Sequence, residues 1–212
     1  QESLELFMFQ NPTRAKRLYF DVIPKMTDEY LKLRKDFEAL KVNEKYQSPI
    51  WFLNNEKEFK ILENFSFNMI LNLANVCNAE SSEILWGYIE NYYPDLDREQ
   101  FPFIQKLLEY GVAYYKRFVL PKKKYREPND LEKEGFTKLI QTLETLDNKS
   151  EAEDIQTKIY EIGMELKFSN LKDWFSGFYQ VVLGQEQGPR LGSFIKFYGI
   201  KQTIQLLKEK VE

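Results

Sequence analysis

The 212-residue chain holds nine glycines, none before Gly87, and six of the nine fall between Gly163 and Gly199. Glycine costs a helix about 1 kcal/mol relative to alanine and supplies the left-handed backbone of sharp turns. The first third of the chain is therefore suited to long helices and the last third to short, sharply turned ones. No segment alternates polar and apolar residues at period two for long enough to propose a sheet, whereas apolar stripes at helical spacing recur. The predicted class is all-α.

Asn11-Pro12 is placed to cap and open a helix through Leu18 to Phe20, and Pro24 to open another through Tyr30, Leu33 and Phe37. Residues 41–58 are polar and contain Ser48-Pro49, so we expect a connecting loop with Trp51 and Phe52 tucked back onto the core. From Glu63 the stripe Phe67, Ile70, Leu71, Ala74 predicts a helix, and Ser81-Ser82-Glu83 opens the next, with Leu85, Trp86 and Ile89 inside. A further helix follows Phe101-Pro102 to about Leu120. Pro121 and Pro128 then bracket the strongest break in composition and pattern, and we place a boundary there. Beyond it run the stripes Phe136, Leu139, Ile140, Leu143 and Ile155, Ile159, Ile162, Leu166. Ser169-Asn170 caps a helix carrying Trp174, Phe175, Phe178 and Val182, which Gly184 is placed to end.

At 43% hydrophobic residues the chain can bury a real core. Its aromatics, 16% of residues, pack helices but also offer faces on which bases stack. Cys77 is the single cysteine, which rules out an intramolecular disulfide and a cysteine-built zinc site. There is no histidine, which removes the commonest general base and the commonest metal ligand, so no catalytic or metal-binding residue is proposed. No apolar run approaches the roughly 18 residues that span a bilayer, and no signal-peptide pattern opens the chain. We expect a cytoplasmic protein with neither membrane nor DNA as partner. Gln1 sits within an apolar pattern, Leu4, Leu6, Phe7, Met8, Phe9, which suggests a piece of something longer.

The formal charge is -3 but is unevenly spread. Residues 127–165 carry 11 acidic and 4 basic side chains, a solvated acidic face, while 166–212 carry 4 and 7. The window 116–126 holds Lys116, Arg117, Lys122, Lys123, Lys124 and Arg126 with no acid among them, interleaved with aromatics. Such density suits a phosphate track, although a solvated linker has the same composition. The stretch LGQEQGPRLGSFIKFYG, 183–199, is the most informative. Pro189 can begin a helix at its first turn and leave backbone N–H groups available. Gly188 and Gly192 permit close backbone approach, Gln185 and Gln187 offer donors and acceptors, and Arg190 offers a planar fork. A glycine-rich turn between two helices reads the same way.

Four blocks in order, FMFQNPTRAKRLYFDVIP, FSFNMILNLANVCNAESSEILWGYI, FVLPKKKYR and LKDWFSGFYQVVLGQEQGPRLGSFIKFYG, resemble the C-terminal part of class I lysyl-tRNA synthetases. The resemblance covers most of the chain outside 38–62 and 127–165. It implies an α-helical, cage-like anticodon-binding region of two packed subdomains. Residues 1–37 would be a stem-contact segment, 38–126 the first helical subdomain and 127–212 the anticodon-binding subdomain. The family's HIGH and KMSKS adenylation signatures are absent here, so the catalytic domain would lie N-terminal to this region, as a partner in the same polypeptide. The parent would use ATP to attach lysine to tRNA(Lys). This part would need no cofactor and would be inactive alone.

The related glutamyl-tRNA synthetases contact the anticodon through a turn of the same form, which falls here on Gly188, Pro189 and Leu191. A cationic contact of that family falls on Tyr179, where this chain departs from the pattern. With Arg190, Gln185 and Gln187 these make up the expected anticodon site. Arg14, Lys16 and Arg17, with Lys122, Lys123, Lys124 and Arg126, would meet the tRNA backbone, although 14–17 also reads as a solvated face. The alternatives are the corresponding region of a glutamyl-type synthetase and a helical scaffold that binds protein helices through its aromatic grooves, with the acidic block 127–165 as docking face.

Overall fold

The computed structural model describes every residue except Asn11, Arg14, Lys16, 54–61, Glu63, Asn64, Asn148, Lys149, Lys167, Ser169 and Glu212. The described residues form twelve α-helices joined by short 3₁₀ and π turns, with no strand among them, as the glycine distribution and the stripes predict. The chain divides into two compact units that do not follow chain order: Gln1–Ile70 with Asp97–Gly111, and Leu71–Leu96 with Val112–Glu212.

The first unit contains α1 (Glu2–Phe9), α2 (Val22–Ala39), α3 (Val42–Lys45), α4 (Pro49–Leu53), the start of α5 (Phe67–Val76) and most of α7 (Pro102–Tyr114). Its core gathers Leu6, Met26, Tyr30, Leu31, Ile50, Phe67 and Ile70, all buried. The expected helix through Leu18 to Phe20 does not form in the described residues, since Arg17, Leu18 and Tyr19 lie in irregular backbone; the Asn11 end of that prediction lies outside them. Leu18, Tyr19 and Phe20 are all exposed, and a short helix with no surface to cover does not hold in water. Between 41 and 53 the expected loop is instead two short helices. The residue that docks is Ile50, fully buried, rather than Phe52, which is exposed. Asp28 of α2 ties down the start of α5, accepting from the Phe67 N–H at 2.5 Å and from the Asn68 side chain at 2.6 Å.

The second unit contains the rest of α5, α6 (Ser82–Tyr92), and a C-terminal run of α8 (Asp130–Glu144), α9 (Ala152–Glu165), α10 (Leu171–Phe178), α11 (Leu191–Tyr198) and α12 (Ile200–Val211). The stripes face inward as predicted: Phe136, Leu139 and Leu143 from α8, Ile155, Ile159 and Ile162 from α9, Trp174 and Phe178 from α10. Trp174 donates its indole N–H to the Ile159 carbonyl at 3.1 Å, so this core tryptophan leaves no unpaired donor. Asn129 and Glu132 close a reciprocal capping box at the start of α8, and Asn170 caps α10. Helix α11 packs on α9, and α12 on α8.

Candidate nucleic-acid interface

After α7 the chain tightens into a π turn, Tyr115–Val119, and a 3₁₀ turn, Leu120–Lys122, before running extended from Lys123. In an extended segment successive side chains point to opposite sides, which separates Lys123 from Lys124, while Lys122 ends the 3₁₀ turn before it. Lys123 turns inward. Its ammonium donates to the Asn75 carbonyl at 2.6 Å and to Asn78 Oδ1 at 2.9 Å, and lies 5.6 Å from the Tyr115 ring centre and 5.0 Å from that of Tyr125. Burial lowers its pKa to about 8, against a smaller opposing effect of Cys77. Lys122 and Lys124 are exposed and have no side-chain partner among the described residues.

Arg126 is also committed. Its guanidinium donates to both carboxylate oxygens of Glu132, at 2.7 and 2.6 Å, and its Nε donates to Gln180 Oε1 at 2.6 Å. Glu132 lies in the interior, its side chain 4% exposed, and accepts the Asn129 N–H as well. Burial raises its pKa, but Arg126 and the Asn129 N–H outweigh that and hold the carboxyl below its ordinary value. The segment is thereby fastened to α8 and to the π turn Tyr179–Leu183 that follows α10.

Gly184 ends that turn in the left-handed region, φ 66°, and accepts the Lys124 N–H at 2.9 Å. A side chain there would be strained in backbone and would press on Lys123. Tyr179 donates its hydroxyl to the Pro189 carbonyl at 2.6 Å, bracing the turn across its base. Burial, with Tyr160 adding to it, pushes its pKa up to about 12, so it stays a neutral donor. Gly188 sits against the Tyr179 ring, closer than any side chain allows. Helix α11 begins at Leu191, two residues beyond the expected start at Pro189, with Arg190 as its cap residue. Leu191 is fully buried, and the Gly192 N–H is taken by the buried Gln156 at 2.9 Å. A Cβ on Gly192 would fall 2.1 Å from the Ala152 carbonyl, so this glycine serves the approach of α11 to α9. Arg190 pairs through both terminal nitrogens with Glu153, not with its neighbour Glu186, and both side chains of that pair are exposed.

The two stretches singled out separately in the sequence meet in an open groove of about 880 Å³. One segment contributes Phe118, Val119, Pro121, Lys122, Lys124, Tyr125 and Arg126, the other Gln180, Gly184, Gln185 and Glu186. Gln187, Gly188, Pro189 and Arg190 do not line it, and Arg17 is an exposed residue of the first unit. Arg14 and Lys16 lie outside the described residues. Sequence reasoning missed Gln180 and Phe118, since each follows from a π turn that has no clear sequence signature. Chemically the groove offers two unpaired ammonium groups, aromatic and apolar surface, amides and one carboxylate. No group of side chains that could hold a metal occurs among the described residues, and no described helix is long and apolar enough to cross a membrane.

Comparison with known proteins gives this geometry its setting. The profile of the class I tRNA synthetases (K) matches residues 1–57. The lysine–tRNA ligase of Rickettsia bellii (strain OSU 85-389) is 41% identical over 213 residues, spanning 99% of this chain and 41% of that protein. That of Rickettsia felis is 40% identical over 213 residues, spanning 99% of this chain and 40% of that protein. That of Rickettsia peacockii is 39% identical over 210 residues, spanning 98% and 40%. The chain thus covers about two fifths of the length of these relatives, with the likeness running almost from end to end. This chain is therefore similar, over almost its whole length, to part of proteins named lysine–tRNA ligase, and its first 57 residues match the class I tRNA synthetases (K).

Proposed function

We propose that this chain is the tRNA-recognising part of an ATP-dependent lysine–tRNA ligase and that it reads the anticodon loop of tRNA(Lys). What carries the reading is the likeness, 40–41% identical over 99% of this chain, to part of proteins named lysine–tRNA ligase. The groove supports it locally, because it brings unpaired cations, aromatic faces and amides to one place, the chemistry that single-stranded RNA requires. Residues 1–37 would follow the inner side of the tRNA, with Arg14, Lys16 and Arg17 as backbone contacts. Residues 38–126 would bridge, and 127–212 would present the turn 184–191. Within that turn Gln185, Gln187 and Gly188 would meet bases. Pro189 and Leu191 would act through their backbone, and Tyr179 by holding the turn in shape. The catalytic domain, which binds ATP and lysine, would be N-terminal, and the whole would act in the cytoplasm.

Two measurements test this. The chain should bind a tRNA(Lys) transcript at least tenfold more tightly than the same transcript with its anticodon replaced; equal affinity for both defeats the anticodon reading. It should also show no lysine-dependent ATP–pyrophosphate exchange, since neither adenylation signature is present. Exchange that survives removal of host synthetase would place an active site within these residues.

A further inference from the structure

We infer that the groove receives one unstacked nucleotide of a single-stranded RNA loop, its phosphate held by Lys122 and Lys124 and its base edge met by Gln185. This deepens the reading just given and rests on it for the identity of the RNA. The volume, about 880 Å³, lies within the roughly 300–1,000 Å³ of small-ligand sites, ample for a nucleotide and too small for a duplex. Of the four cations in 122–126, two are already spent inside the protein. Lys123 is bonded to Asn75 and Asn78, and Arg126 to Glu132 and Gln180. The remaining two lysines open on the groove as mobile point charges, which suits a phosphodiester better than the bidentate geometry of a carboxylate.

The amides are sorted in the same way. Gln180 accepts from Arg126 and donates to Ser176 Oγ at 3.2 Å, whereas the Gln185 side chain has no partner among the described residues. Its backbone N–H is fixed to the Tyr179 carbonyl at 3.2 Å, so an uncommitted donor–acceptor pair stands on an anchored main chain. Tyr125 lines the groove with its ring held in place by two ammonium groups, Lys123 at 5.0 Å and Lys210 at 5.2 Å from its centre. Glu186 repels a phosphate and accepts from base N–H groups, so the ligand has a direction, phosphate toward the lysines and base toward 185–186. The two segments are hydrogen-bonded to each other through Lys124 and Gly184 and through Arg126 and Gln180, so the site is formed before the ligand arrives.

The test is fluorescence anisotropy on the chain with four probes, the tRNA(Lys) anticodon stem–loop, heptauridylate, a 12-base-pair RNA duplex and polyglutamate, over a salt series. Lys122→Ala/Lys124→Ala should weaken the stem–loop and heptauridylate at least tenfold and reduce the log–log salt slope by about 1.4, two single-strand contacts' worth. Gln185→Ala should cost about fivefold with little change of slope and should flatten discrimination among loops that differ at one base. Lys158→Ala, outside the groove, serves as control, and melting curves should be superimposable for all four chains. Stem–loop binding that is unaffected by the groove variants overturns this inference and leaves the proposed function standing. Groove-dependent binding of heptauridylate without any preference for tRNA(Lys) does the reverse. Equal groove-dependent affinity for the duplex or for polyglutamate reduces the groove to an anionic docking patch and overturns the nucleotide assignment.

Discussion

Arg126 closes the basic window and Arg190 closes the glycine-rich turn, and each makes a two-nitrogen pair with a glutamate, yet the surroundings differ. The partner of Arg126 is the inward-facing Glu132, its side chain 4% exposed, which also caps α8; the partner of Arg190 is Glu153, 71% exposed. A buried carboxylate stripped of its cation is left uncompensated, whereas an exposed one is solvated by water. The same contact is thus part of the fold in one place and a replaceable surface pair in the other. A cluster of cations read from sequence divides along this line: the members that face the interior hold the surface in shape, and the members left over are available to a ligand.

The comparison breaks first at Arg126. Arg126→Ala should cost about 2–3 kcal/mol, below the roughly 3–5 of a fully buried pair because Arg126 itself is partly exposed. At roughly 2–4 °C per kcal/mol for a chain of this length, the melting temperature should fall by about 4–12 °C. The loss should be pH-dependent in a stated direction. Glu132 is held below its ordinary value of 4.5, so in acid the unfolded chain binds the proton more readily, and the contribution is present above that value and fades as pH falls below it. Wild type and variant should therefore converge in stability at low pH. A constant gap down to pH 3 would remove the pair from its assigned role.

Lys123 sharpens the contrast within the lysine triplet. Lys123→Met should leave the salt slope for RNA unchanged, where loss of Lys122 and Lys124 reduces it. Its signature should instead lie in alkaline stability. With a folded pKa of about 8 against 10.5 unfolded, the unfolded chain binds more protons between those values, so the contribution of this site to stability rises with pH across that window. The urea midpoint of the wild type should gain on that of Lys123→Met from pH 7.5 to 10.5, with other titrations common to both chains largely cancelling. A gap that does not change with pH would mean that the ammonium is as well solvated as in water.

What was legible in the sequence follows from which physics is local. Helical stripes, the helix starts after Ser81 and Asn170, and the left-handed stop at Gly184 each depend on a few neighbouring residues, and all stand where the pattern places them. Capping with a distant partner is not local: Asp28 caps α5 across 39 residues, and no window of sequence contains both. The glycines of the turn were read as openings for a ligand, but Gly192 admits the Ala152 carbonyl and Gly188 the Tyr179 ring, since composition cannot tell whose atoms will fill the space. For the same reason the basic window looked uniform. Its sorting depends on an extended backbone after the 3₁₀ turn and on Asn75 and Asn78, more than 40 residues away.

Arg190 carries the smallest expected effect and the sharpest sign. Its pair with Glu153 is exposed on both sides, and such pairs contribute about 0–1 kcal/mol, so Arg190→Ala should move the melting temperature by no more than about 4 °C. For Arg190 to contact an anticodon loop it must leave Glu153, and the cost of parting is the same small quantity. Removing Glu153 therefore acts in the opposite direction from removing Arg190. If Arg190 reads or clamps the loop, Arg190→Ala should weaken the stem–loop severalfold while Glu153→Gln, which releases the guanidinium, should tighten it by up to about fivefold, the equivalent of 1 kcal/mol. If Arg190 serves only to join α9 to the start of α11, both substitutions should lower stability slightly and leave binding as it was. Arg190→Ala weakening cognate and altered loops alike would make it a phosphate contact, and weakening only the cognate loop would make it a base contact. The paired variants thus decide whether the second arginine, lying outside the groove and bound to a solvated acid, extends the recognition surface beyond the groove or belongs to the fold as Arg126 does.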